Sequence, residues 1–233
     1  MTIIYENMKE KKLLDTKISE YSDIIEQNLE EILNELISNN YKLRNLGFGA
    51  GFDNEANEIY GEINKLAISI LTLTLSKNKN GLHKIWLFHR NGENNPENLV
   101  REIARLIRFA DNLKCINNSI SLIKYNINEL YEYPTFKKQA YIPDFALMIS
   151  SFFKENIDIF FQNNKNDINK ENRMSAELKK ITSLSHKVLN EFSRDISDGN
   201  IDISSNENQV IYYSNIISCL ELIAITIFDL IFI

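Results

Sequence analysis

The chain has 233 residues, of which 44% are hydrophobic and 25% charged, enough apolar material for one or two domains with a real core and too much for global disorder. Seven Gly and three Pro are too few for the turn-dense pattern of a β-sandwich or barrel, and a net charge of −6 supplies no basic stripe to displace counterions from nucleic acid. The expected class is therefore all-α, with nucleic acid excluded as a partner. Met1–Lys12 carries Glu6, Lys9, Glu10, Lys11 and Lys12 where a secretory signal needs an apolar run, so the expected location is the cytoplasm. Cys115 and Cys219 fall in apolar helical runs without CxxC spacing, which fits a reducing compartment.

In chain order, Leu14, Ile18, Tyr21, Ile25, Leu29, Ile32 and Leu36 recur by threes and fours and predict a first amphipathic helix that ends near Asn39. Gly47, Gly49 and Gly51 interrupt it. They lack a preceding strand and a following Lys-Ser/Thr, so the segment reads as an inter-helix turn and not as a phosphate loop. Asp53 is placed to cap a second helix carrying Ile59, Ile63, Leu66, Ile70 and Leu73. The stretch 78–95 reads as a polar loop broken by Ile85-Trp86-Leu87-Phe88, an apolar plug for one bundle end or a recognition loop.

Pro96 and Glu97 suit the first turn of a long third helix with the stripe Leu99, Ile103, Leu106, Ala110, Leu113, Ile116, Ile120, Ile123 and Ile127. Pro134 and Pro143 bracket a break, where the halves of the chain divide: a first three-helix repeat over 1–133 and a second over 134–233. Phe145, Met148, Phe152, Asn156 and Phe160 predict a fourth helix. After a polar run at 163–169, Leu178, Ile181, Leu184, Val188, Phe192 and Ile196 predict a fifth that stops at Asp198-Gly199-Asn200. Ile211, Ser214, Ile217, Leu220, Ala224, Ile227 and Ile231 predict a sixth. It is apolar enough to raise a membrane anchor, but Glu221 and Asp229 would then sit in hydrocarbon, and a core helix is the expected outcome. The plan is two tandem three-helix bundles.

The third and sixth helices each set a carboxylate, Asp111 and Glu221, inside an apolar seam, and both are expected to face inward, where such a group needs a cation, a donor or water. Three further pairs stand four apart on helices, Glu31 with Glu35, Glu58 with Glu62 and Glu191 with Asp195. Each is a solvated helix face or two ligands of a shared cation. His83, His89 and His186 form no ligand set, and no Ser-His-Asp or Cys-His spacing is present.

The segment Leu106-Ile107-Arg108-Phe109-Ala110-Asp111 resembles the PhoU-type helix signature Leu-Glu-Arg-Ile-Gly-Asp, and Leu220-Glu221-Leu222-Ile223-Ala224 is similar to a second copy after a D-G-N-I-D-I-S turn. The resemblance implies a cytosolic, non-enzymatic regulator of phosphate uptake that docks on a membrane phosphate transporter or a sensor kinase, peripheral to the membrane at most. It also implies a divalent metal, Mg, Zn or Fe, held by acidic pairs, for which the residues available are Asp111, Glu221, Glu191, Asp195, Glu58 and Glu62. Trp86 and Arg108 would serve partner binding. The chain departs from the signature at Ile107 and Ile225, where the second carboxylate of each pair would stand. Two other readings compete. One is an all-α Mg-dependent nucleotide pyrophosphohydrolase with Glu55, Glu58, Glu62 and Asp111 as ligands. The other is a helical dimerisation module, a homodimer built through the apolar last helix.

Overall fold

The computed structural model describes residues 2–38, 51–76, 96–130, 141–161, 168–199 and 203–231, and in them the protein is all-α, six helices with no strand. They are α1 (Thr2–Ser38), α2 (Gly51–Ser76), α3 (Pro96–Leu130), α4 (Tyr141–Phe161), α5 (Ile168–Ser197) and α6 (Ile203–Ile231). The apolar spacing that predicts them is also what they bury. All seven stripe residues of α1 are inside, and so are Ile103, Ala110, Leu113, Ile116, Ile120, Ile123 and Ile127 of α3. Each fully buried Leu or Ile contributes roughly 1.5–3 kcal/mol of transfer free energy.

α1, α2 and α3 pack pairwise with one another, as do α4, α5 and α6, and the broadest interface in the molecule joins α3 to α6. α1 also meets α4. This pairing fits two three-helix sets in tandem. Asn215 on α6 hydrogen-bonds Asn126 on α3 at 3.1 Å, and Thr226 reaches Cys115 at 3.8 Å, so position rises along α6 as it falls along α3: the two run antiparallel. With Leu106 aligned on Leu220, the buried positions coincide, Phe109, Ala110, Leu113 and Ile116 with Ile223, Ala224, Ile227 and Leu230. Over this stretch the two seam helices turn the same phase inward.

Several boundaries differ from expectation for simple reasons. α2 starts at Gly51, so Asp53 lies within its first turn and not at the cap. Pro143 lies in the first turn of α4, the one place in a helix where a missing N–H costs nothing. α5 starts at Ile168, inside the run read as loop. Its end is as expected: Gly199 adopts φ 75°, and its N–H and that of Asp198 bond back to the carbonyls of Ile196 and Arg194. Ile211, placed on the buried stripe, is 49% exposed, because the inward face of α6 runs through Tyr213, Ile216, Ile217, Leu220 and Ile223. The proposed boundary at 133/134 and the plug around Trp86 lie outside the described residues.

Candidate functional site

The acidic groups of the third and sixth helices do not face the core. Asp111 is exposed and Glu221 is half-buried, both on the outward side of the α3–α6 seam, and this corrects the expectation of inward carboxylates. The helical phase decides it: Ala110 and Leu113 point inward on either side of Asp111, and Leu220 and Ile223 on either side of Glu221. Each carboxylate accepts a hydrogen bond from the middle helix of its own set. Tyr60 on α2 donates a short one to Asp111 Oδ1, and Ser185 on α5 donates to Glu221 Oε2 at 2.7 Å. The two halves thus use one device twice, an acid on the seam helix gripped by a hydroxyl on the neighbour.

Around Asp111 the first half builds a polar cluster from three helices. The Tyr60 ring lies 6.0 Å from that of Tyr21 on α1, and the Lys114 ammonium sits 4.2 Å from the Tyr60 ring centroid, within cation–π range. Burial raises the Tyr60 pKa above its ordinary value, as does the bond to Asp111, while Asn64 opposes the shift. Tyr21 is fully buried with its hydroxyl unbonded, and its pKa is raised first by burial and then by Tyr60 and Asp111. A phenol held between an acid and a second phenol keeps its proton at neutral pH; it is a donor, not a base.

In the second half Phe192 on α5 stacks on Tyr213 of α6 with centroids 4.3 Å apart, about two helical turns along from the Ser185–Glu221 bond. Cys115 and Cys219 are free thiols at the α3–α6 seam, and burial, with a smaller contribution from Cys115, pushes the Cys219 thiol up to about 11. A thiol so protonated is a packing group and not a nucleophile.

The remaining sequence candidates are dispersed. Glu62 is ion-paired at 3.1 Å to Lys17, which also holds Glu20 at 2.8 Å and so ties α1 to α2. Glu55 and Glu58 are exposed on α2. Glu191 faces Lys187 at 3.8 Å along a shallow outward groove of α5 lined by Ser183, His186, Lys187, Asn190 and Arg194, and Asp195 is half-buried a turn further on. Glu31 is exposed and Glu35 half-buried on α1; Arg108 is exposed on α3. Among the described residues no three His, Cys, Asp or Glu side chains gather closely enough to hold a metal ion. A hard cation needs several oxygens at once, and the six carboxylates that the resemblance offers are spread over four helices, with Glu62, Asp111 and Glu221 committed to Lys17, Tyr60 and Ser185, so among the described residues they do not fit the implied metal.

Spacing alone did not reveal Tyr60, Ser185 and Lys17. For Ser185 a signal exists: it shares the inward phase of Ile181, Val188 and Phe192 and is fully buried, and a polar residue on an apolar stripe marks a partner across the interface. Tyr60 and Lys17 lie at stripe edges, where sequence gives no such mark.

The fold and site define an all-helical protein in which Asp111 and Glu221 act as struts between neighbouring helices, an arrangement that fits two three-helix sets. No protein-family model, curated protein or solved structure matches the chain.

Proposed function

We propose that this protein is a non-enzymatic, PhoU-like regulator or adaptor of phosphate transport or signalling, acting by docking on a membrane phosphate transporter or sensor kinase. The observation that carries this reading is the paired use of the seam acids. Asp111 and Glu221, the two carboxylates of the PhoU-like segments, are engaged by hydroxyls from their own three-helix sets, which supports a scaffold over a metal-assisted reaction. The pyrophosphohydrolase alternative requires Glu55, Glu58, Glu62 and Asp111 to converge on magnesium, yet Glu62 pairs with Lys17 and Asp111 with Tyr60.

Deleting the gene in its source cell is expected to change orthophosphate uptake under phosphate-replete conditions, with restoration by the wild-type chain. The purified protein is expected to release no pyrophosphate from nucleoside triphosphates with magnesium. Unchanged uptake in the deletion strain overturns the proposal, and so does magnesium-dependent turnover that disappears in Asp111→Ala.

A further inference from the structure

Five of the eight large hydrophobic side chains that stand exposed among the described residues lie on the two seam helices: Leu122 and Tyr125 on α3, and Ile211, Leu222 and Ile225 on α6. On α6 the exposed line runs Ile211, Ser218, Leu222, Ile225 and Asp229, a single helical stripe opposite the buried one. Its flanks fix its direction. Asn215 and Thr226 on one side bond to α3, and Glu221 on the other side bonds to α5, so the stripe faces outward between them. On α3 the exposed line Arg108, Asp111, Asn118, Leu122 and Tyr125 faces the same way, between the contacts of Asp111 with α2 and of Cys115 and Asn126 with α6. The edge-on pair of Tyr125 and Tyr212, with centroids 6.3 Å apart, marks where the stripes adjoin.

We propose that this outer face of the α3–α6 seam is the interface of a two-fold homodimer. An isologous interface must be complementary to itself. With α3 and α6 antiparallel and side by side, a dyad running along the seam lays α3 of one copy on α6 of the other and does so twice. It brings Leu122 and Tyr125 to the partner's Ile211 and the partner's Leu222. The charges obey the same symmetry. Arg108 and Asp229 are both exposed near one end of the patch, level to within about a turn, and no ion pair links either to another described residue. The dyad sets Asp229 against the partner's Arg108 and the partner's Asp111; the Asp111 carboxylate is already bonded to Tyr60, so Arg108 is the exposed group of opposite sign that meets the partner's Asp229. A membrane surface suits the face poorly, since α6 carries no Lys or Arg to meet anionic headgroups. The stretch from Arg108 to Tyr125 is ~26 Å long at 1.5 Å per residue and two helices wide. That gives roughly 500 Å² per copy, the size of a weak, reversible association.

This inference stands apart from the phosphate reading, since an adaptor and a hydrolase would carry the same face, and its test makes no use of uptake. Sedimentation velocity on the full chain from 1 to 300 µM is expected to show a monomer–dimer equilibrium. Leu222→Lys is expected to weaken it at least tenfold with the helical circular dichroism unchanged. Arg108→Asp and Asp229→Arg are each expected to weaken it, and Arg108→Asp/Asp229→Arg to restore it to within threefold of wild type. A monomer at 300 µM, a dimer indifferent to Leu222→Lys, failure of the charge swap to restore association, or a monomer that instead co-sediments with phosphatidylglycerol vesicles each overturns the proposal.

Discussion

At the scale of single residues, the Tyr60–Asp111 contact is the most informative. Asp111 is visible in the sequence as a carboxylate in an apolar seam, but its direction follows from which neighbours occupy the inward phase, and its partner comes from a helix about fifty positions away, beyond any spacing rule. Removing the donor in Tyr60→Phe is expected to cost about 1 kcal/mol, measured by urea unfolding at pH 8. The pH dependence follows from the sign of the shift. The folded state holds the Tyr60 proton more tightly than the unfolded chain does, so the associated stability is fully present below the ordinary tyrosine value of 10.0 and is lost as pH rises through the higher folded value. Lys11, raised chiefly by its 2.7 Å contact with Glu102, acts in the same direction above 10.5. Urea midpoints taken from pH 8 to 11.5 are expected to fall at the alkaline end, less steeply in Tyr60→Phe. A flat profile in the wild-type protein would sink this account.

At the scale of the element, α2 carries Gly61 mid-helix, where an added Cβ meets nothing within 4 Å. Gly61→Ala is expected to stabilise the protein by roughly 0.5–1 kcal/mol through helix propensity and a less flexible unfolded chain, seen as a rise in thermal midpoint. Gly199 is the opposite case. Space is open around it too, but its φ of 75° makes Gly199→Ala cost about 1 kcal/mol by the same measurement. The stop at Gly199 was legible because αL geometry has a residue signature, whereas the starts of α2 and α5 were not. Loop-favouring residues such as Asn169 can enter the first turn when the following stripe anchors it, and the anchoring is tertiary.

At the scale of the molecule, the seam between α3 and α6 sets the arrangement. Asn126 is buried, donates to the Leu122 carbonyl and accepts from Asn215 across the seam, fixing the register of two long apolar faces that would otherwise slide. Asn215→Ala is expected to lower stability by about 1 kcal/mol in denaturant unfolding, with a larger loss if the seam shifts register. The apolar length of α6 is explained in part by this packing. Asn208–Leu230 has a mean hydropathy of 1.7, enough to cross a membrane by length and composition, and half of it is buried inside the molecule. The exposed remainder includes the stripe through Ile211, Leu222 and Ile225.

The sequence by itself determined that the chain is helical, how many long helices the described residues hold and, for α1 and α3, which residues turn inward, because the 3.6-residue period of apolar side chains is a local property that any packed core must respect. Only the tertiary structure decided that Asp111 and Glu221 face outward, that Tyr60, Ser185 and Lys17 hold them and Glu62 in place, and that Ile211 belongs to a surface stripe. Those outcomes depend on the rotation of each helix against its neighbours, a quantity set by the sum of all packed contacts and carried by no single segment of the chain.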